Sequence, residues 1–244
     1  MNAFCLAPEA VELGSASWLR LRNEDPRYTL SAAGLRSAPD CGWVEQMLPF
    51  IDAFSKPADT VLDPFSGWGS TLLAAALRGR RALGVELDGR RVEVSRQRLG
   101  FHQADATVIC GDACQLPVAD GCVDLALTSV PYFSAGQFGA VAQSPATATH
   151  FYGLPVFDAY LRLLRQAFSE VARVLVPGGY FVAMVENVRV AGRFVPLAWE
   201  CGRLLESLFE IGDERIIVYD QPDNANCGLL SNRAHEYALI CRKR

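Results

Sequence analysis

The chain has 244 residues, of which half are apolar and a fifth charged, with a mean hydropathy slightly above zero. That composition supplies a sizeable core and excludes a disordered or fibrous chain. No run of about 18 apolar residues occurs, so no membrane-spanning helix is expected. The start, Met1-Asn2-Ala3-Phe4-Cys5, lacks the basic-then-apolar pattern of an export signal, and a cytoplasmic protein is expected. The net charge is −4 and the basic residues are nearly all arginine, Lys56 and Lys243 being the lysines. The eight cysteines (Cys5, Cys41, Cys110, Cys114, Cys122, Cys201, Cys227 and Cys241) form no CxxC pair. Cys110, Cys114 and Cys122 lack zinc-type spacing, so reduced and mostly buried thiols, with no metal site, are expected.

In chain order, residues 1–40 are punctuated by Pro8, Pro26 and Pro39 and contain a short amphipathic piece at Val11–Arg22. Regular patterning begins at Gly42. A helix over Trp43–Phe54 leads to a strand at Thr60–Leu62, then a glycine turn and an alanine- and leucine-rich helix over Thr71–Arg78. Arg81–Glu86 reads as a strand, Gly89–Leu99 as a helix, and Thr107–Cys110 and Cys122–Leu127 as strands. A long helix, Val156–Val176, stops at Pro177-Gly178-Gly179. Tyr180–Val185 is then a strand, Pro196–Phe209 a helix, and Arg215–Tyr219 and Glu236–Cys241 two closing strands. Strands alternating with helices predict one α/β, doubly wound, Rossmann-like domain over 42–244, mostly parallel, with a C-terminal hairpin that turns the last strand antiparallel. Residues 1–41, carrying Trp18 and Tyr28 with Trp43 just beyond, are a candidate lid over the site.

In such sheets ligands bind outside the carboxyl ends of the strands. Three acidic positions fall there. Asp63 opens the turn Asp63-Pro64-Phe65-Ser66-Gly67-Trp68-Gly69-Ser70. Its glycines allow a sharp bend and a close approach to a ligand, and the following helix offers unpaired N–H groups. Neither a third glycine at dinucleotide spacing nor a Gly-Lys-Ser/Thr ending is present, which disfavours a pyrophosphate or triphosphate cradle. Glu86 ends the next strand, where a carboxylate accepts both hydroxyls of a ribose. Asp112, in Cys110-Gly111-Asp112, ends the third strand, in place to accept from an adenine amino group. Singly each reads as a solvated loop residue or a helix cap; together they describe a nucleoside pocket.

A fourth element, Thr128-Ser129-Val130-Pro131-Tyr132-Phe133, follows the fourth parallel strand. Asp63–Thr71 together with Ser129–Tyr132 resembles the amino-methyltransferases that modify adenine N6 or cytosine N4 in DNA, whose first motif reads Asp-Pro-Phe-x-Gly-x-Gly-Thr-Thr and whose catalytic tetrad is Asp, Asn or Ser, then Pro-Pro, then an aromatic. Val174–Tyr180 and Asn232–Tyr237 extend the likeness, which covers roughly 42–244. The resemblance implies an S-adenosylmethionine-dependent N-methyltransferase. Asp63, Phe65, Gly67, Gly69 and Ser70 would hold the methionine part of the cofactor, Glu86 its ribose and Asp112 its adenine. In the tetrad Ser129, Val130, Pro131 and Tyr132, the Ser129 hydroxyl and the Val130 carbonyl would accept hydrogens from the amino group, and Tyr132 would stack on the flat substrate. The chain departs from the pattern at Val130, where the family has proline, and mildly at Ser70, where it has threonine.

From Arg98 to Arg162 there is no intervening lysine or arginine, whereas a typical DNA binder makes about six to ten phosphate contacts. The loop after the tetrad is aromatic instead, with Phe133, Phe138, Phe151 and Tyr152 as candidate substrate contacts. The preferred expectation is therefore methylation of a nitrogen on a free purine-, pteridine- or pyrimidine-like metabolite. The alternative is a site-specific DNA methyltransferase using arginines elsewhere, such as Arg189, Arg193 and Arg233. An RNA guanine-N2 methyltransferase ranks third. A non-catalytic binding module would keep the cofactor pocket with an inert tetrad. Oligomeric state is left open.

Overall fold

The computed structural model describes residues 12–131, 157–190, 193–220 and 234–244. Eight strands form one sheet: β1 (Trp18–Leu21), β2 (Thr60–Asp63), β3 (Arg81–Glu86), β4 (Ala106–Cys110), β5 (Val123–Ser129), β6 (Leu175–Val185), β9 (Glu210–Tyr219) and β10 (His235–Arg242). A separate two-stranded ribbon pairs β7 (Val188–Val190) with β8 (Arg193–Val195). The main sheet runs β1-β9-β10-β6-β5-β2-β3-β4. Of its strands β10 alone runs antiparallel to its neighbours, β6 and β9. The fold is thus the expected doubly wound, Rossmann-like sheet with an antiparallel C-terminal pairing.

Helices cover both faces, and the strands show why. Along β2, Val61 packs on one side and Leu62 on the other; along β5, Leu125 and Leu127 oppose Ala126; along β6, Val182 and Met184 oppose Phe181, Ala183 and Val185. All these side chains are buried, as parallel strands between two helical layers require. One layer holds α1 (Val44–Phe54), α2 (Ser70–Leu77) and α3 (Gly89–Phe101), and the other holds α4 (Phe157–Val174) and α5 (Leu197–Glu206).

Several boundaries differ from the sequence reading. The long helix ends at Val174, and Pro177-Gly178-Gly179 forms an irregularity inside β6: the register with β5 jumps from Val123↔Leu175 to Leu125↔Tyr180. Gly178 sits at φ +77°, and a Cβ on Gly179 would lie 3.0 Å from the Asp124 carbonyl, so both positions suit glycine. The piece at Val11–Arg22 contains a strand, Trp18–Leu21, joined in parallel to Ile216–Tyr219. Of the cysteines, Cys114, Cys201 and Cys241 are buried, while Cys110 and Cys122 are exposed; Cys5 and Cys227 lie outside the described residues. Among the described residues no helix is long and apolar enough to cross a membrane.

Strands β2 and β5 are neighbours from which the chain departs in opposite directions, β2 toward β3 and β4, β5 toward β6. Their carboxyl ends form the switch point at which open α/β sheets bind ligands.

Candidate active site

A cleft opens at that switch point. Its walls include Asp63, Phe65, Ser66, Gly67, Trp68 and Ser70 from the β2–α2 turn, Ser129, Val130 and Pro131 after β5, and Asp40, Gly42, Met47 and Arg91. The sequence-predicted Asp63, Phe65, Gly67, Ser70, Ser129, Val130 and Pro131 are therefore brought together. Glu86 ends the adjoining strand β3 and Asp112 lies two residues beyond β4; neither lines the cleft. Tyr132, Phe133, Phe138, Phe151 and Tyr152 fall outside the described residues, as does Arg233.

The turn is shaped by its glycines and by carboxylates. Gly67 and Gly69 have φ of +48° and +85°, the left-handed region open to glycine. Gly69 caps α2, and a Cβ there would run into the Ser95 hydroxyl. Asp63 is fully buried. One of its oxygens accepts from the Phe65 amide at 3.0 Å and from the Thr128 hydroxyl at 2.6 Å. Burial pushes its pKa up to about 6, against the opposing pull of the Thr128 and Thr71 hydroxyls and the Phe65 amide. None of these partners is a cation, so Asp63 keeps its full charge for a positively charged ligand, while Arg91 on the same cleft is paired with Asp40. Glu86 braces the turn from the next strand: one oxygen accepts from the Gly67 amide at 2.9 Å, the other from the Asp88 amide at 2.8 Å. Burial raises its pKa, with the Asp88 amide and then Arg91 opposing. Asp112 caps the short turn Ala113–Gln115, accepting from the Cys114 amide at 2.8 Å.

Ser70, expected to contact the cofactor, turns its hydroxyl inward. It donates to the Gly42 carbonyl at 2.5 Å and accepts from Arg98 at 2.9 Å. Arg98 was not foreseen. It is completely buried, and its guanidinium also donates to the Trp68 carbonyl at 3.1 Å and the Tyr28 carbonyl at 2.5 Å. One side chain thus ties the glycine turn to the segment before α1. A second unforeseen group stands at the rim. Asp40 accepts from the Trp68 indole at 3.0 Å and from Arg91 at 2.8 Å, while the Arg91 guanidinium lies 4.9 Å from the Trp68 ring centre. Trp68 within the motif was a signal that could have been followed; nothing in the sequence linked Asp40 to Arg91, 51 residues on.

At the opposite wall Ser129 closes β5. The Val130 N–H donates to the Met184 carbonyl at 2.8 Å, and the Pro131 carbonyl accepts from the Tyr160 hydroxyl at 2.5 Å. The two walls touch directly, since Thr128 of β5 is the residue whose hydroxyl holds Asp63 of β2. An acceptor-rich pocket therefore lies beside a short corner of main-chain and hydroxyl acceptors, an arrangement that can hold a cationic nucleoside and present a second, amino-bearing group to it.

Residues 44–97 match the DNA methylase family. Over 71 residues the chain is 42% identical to the putative methylase YubD of Escherichia coli strain K12, covering 29% of this chain and 31% of that protein. Over 78 residues it is 41% identical to a tRNA (guanine(10)-N2)-dimethyltransferase of Methanothermobacter thermautotrophicus, covering 32% and 23%. The chain thus spans less than a third of the length of these curated relatives. Among solved structures, the MccD protein superposes with a TM-score of 0.56 at 14% identity, over 82% of this chain and 97% of that one. A SAM-dependent methyltransferase from Methanosarcina mazei gives 0.52 at 17% identity, over 80% and 97%.

Proposed function

We propose that this chain, which has the class I methyltransferase fold and carries a DNA-methylase segment, transfers a methyl group from S-adenosylmethionine to an exocyclic amino nitrogen of a base within a nucleic acid, DNA before RNA. The observation that carries the reading is the Thr128–Asp63 hydrogen bond, which fixes the cofactor wall and the acceptor corner to each other at the switch point. The relatives support a polynucleotide substrate, since the matched family is described as DNA methylase and a curated relative as a tRNA dimethyltransferase. They weigh against the free metabolite favoured from sequence.

S-adenosylmethionine, when bound, supplies an electrophilic methyl group on a sulfonium. The protein's part is placement. Asp63 offers an anionic acceptor to the positively charged methionine part, and the positive-φ glycines let the backbone come close. Beyond the walls of the cleft, Glu86, each oxygen already taking one amide, would keep lone pairs for the ribose hydroxyls, and Asp112 would serve the adenine, as the resemblance implies. Ser129 Oγ and the Val130 carbonyl would accept the two hydrogens of the substrate amino group and so orient its nitrogen lone pair. Tyr132, outside the described residues, would by the resemblance stack on the base, a contact worth about 1–3 kcal/mol. The segment before α1 contributes Asp40 and Gly42 to the wall of the site.

A second reading keeps the free heterocycle, because Arg98 and Arg162 have no lysine or arginine between them and that interval contains the whole acceptor corner. Labelled S-adenosylmethionine offered with duplex DNA, tRNA and free nucleobases separates the two. Label recovered as an N-methylated base in DNA is expected. Label in free bases alone would replace this reading by the second, and no label in any acceptor would leave a binding module.

A further inference from the structure

The acceptor corner lacks the proline–proline stiffness that its resemblance implies, because residue 130 is valine. Two hydrogen bonds stand in its place. On the N-terminal side the Val130 amide donates to the Met184 carbonyl at 2.8 Å. This carries the β5–β6 ladder one residue past Ser129↔Met184, and a proline has no N–H with which to make it. On the C-terminal side the Tyr160 hydroxyl donates to the Pro131 carbonyl at 2.5 Å. Tyr160 lies in the first turn of α4, is fully buried, and stacks on Phe157 with ring centres 6.1 Å apart and planes 19° from parallel. A phenylalanine would satisfy the apolar core around α4 equally well; the hydroxyl is what reaches the corner. Between the two anchors lies the Val130 carbonyl, the acceptor that the proposed function assigns to the substrate amino group.

We propose that Tyr160 is a positioning residue for methyl transfer: its hydroxyl, acting through the Pro131 carbonyl and together with the Val130–Met184 bond, holds the Val130 carbonyl at its aim. This rests on the function proposed above. Tyr160 touches neither substrate nor cofactor in this assignment, so its removal should change the rate and leave binding alone.

The test is Tyr160→Phe in the full chain, which keeps the ring and removes the hydroxyl that donates to the Pro131 carbonyl. With duplex oligonucleotide and S-adenosylmethionine, kcat should fall about tenfold, the size expected when one main-chain anchor of a reacting geometry is lost. KM for both substrates should stay within about twofold of the parent values. In protein labelled with carbonyl-13C proline, the Pro131 resonance should move upfield in the variant as its hydrogen bond disappears. An unchanged kcat, a KM that rises in step with the loss, or an unmoved Pro131 resonance overturns the proposal. If the parent chain labels no base at all, the proposed function fails and the positioning role with it; the Pro131 resonance still reports separately whether Tyr160 holds that carbonyl.

Discussion

The ends of β2 and β5 face each other across one hydrogen bond, yet they are shaped by different means. At the end of β2 the turn is set largely by its own residues: Asp63 accepts from the Phe65 amide two residues on, Gly67 and Gly69 take positive φ, and the Gly69 amide donates to the Ser66 carbonyl at 2.8 Å. At the end of β5 Val130 depends on Met184, and Pro131 on Tyr160, 29 residues away in another helical layer. The first wall takes its shape from a short stretch of chain, which Glu86 and Arg98 then brace, and the second is assembled by the tertiary fold. A change in the first should therefore act as a local steric fault, and a change in the second as the loss of a remote tether.

The largest effect should come from Gly69→Ala. The new methyl group meets the Ser95 hydroxyl at a backbone angle disfavoured for alanine, which costs about 2–4 kcal/mol in stability and should abolish detectable S-adenosylmethionine binding by calorimetry. Retention of both would show that the turn is less locally determined than this comparison requires. Next comes Val130→Pro, which restores the family's residue yet removes the donor to Met184. The midpoint of urea unfolding should fall by the equivalent of about 1–2 kcal/mol, because a buried carbonyl loses its partner. A raised midpoint would mean that ring stiffness outweighs the tether.

A third effect is on the pH profile. Asp63 titrates near 6 when folded against an ordinary 3.8, so between those values the folded state holds more proton than the unfolded one. This group's contribution to stability must then decline as pH rises from about 4 to 6 and remain unfavourable above. Asp63→Asn should remove that decline, so that the variant gains on the parent as pH rises through this window in urea titrations. Parallel profiles for the two proteins would show that Asp63 titrates normally in its site.

The contrast also explains what could be read from the chain alone. The β2–α2 turn was legible because its residues are neighbours in sequence as well as in space, and the alternating strands and helices followed from periodicities confined to single elements. The antiparallel last strand was legible from the helix-free stretch before it. The strand Trp18–Leu21 was not, since its partner among the described strands is β9, about 200 residues later, and an edge strand this short has no strong pattern of its own. Arg98 gave no signal as a buried residue on an otherwise polar helix, because its partners Tyr28, Trp68 and Ser70 converge only in three dimensions. Ser70 was placed correctly at the turn, but the direction of its hydroxyl depends on Gly42 and Arg98, which a motif does not describe.

The pairing of β1 with β9 bears on how the chain is made. Leu19 and Leu21 leave the ribosome long before their sheet partners Ile217 and Tyr219, which emerge only after most of the other strands of the sheet have been translated. Until then an apolar edge waits for a late-arriving neighbour while the rest of the sheet is already free to condense, an interval in which nascent chains are open to mispairing with one another. The rim contributed by Asp40 and Gly42 need not wait with that edge, since the partners that hold it, Trp68, Ser70 and Arg91, are all translated within the next 51 residues.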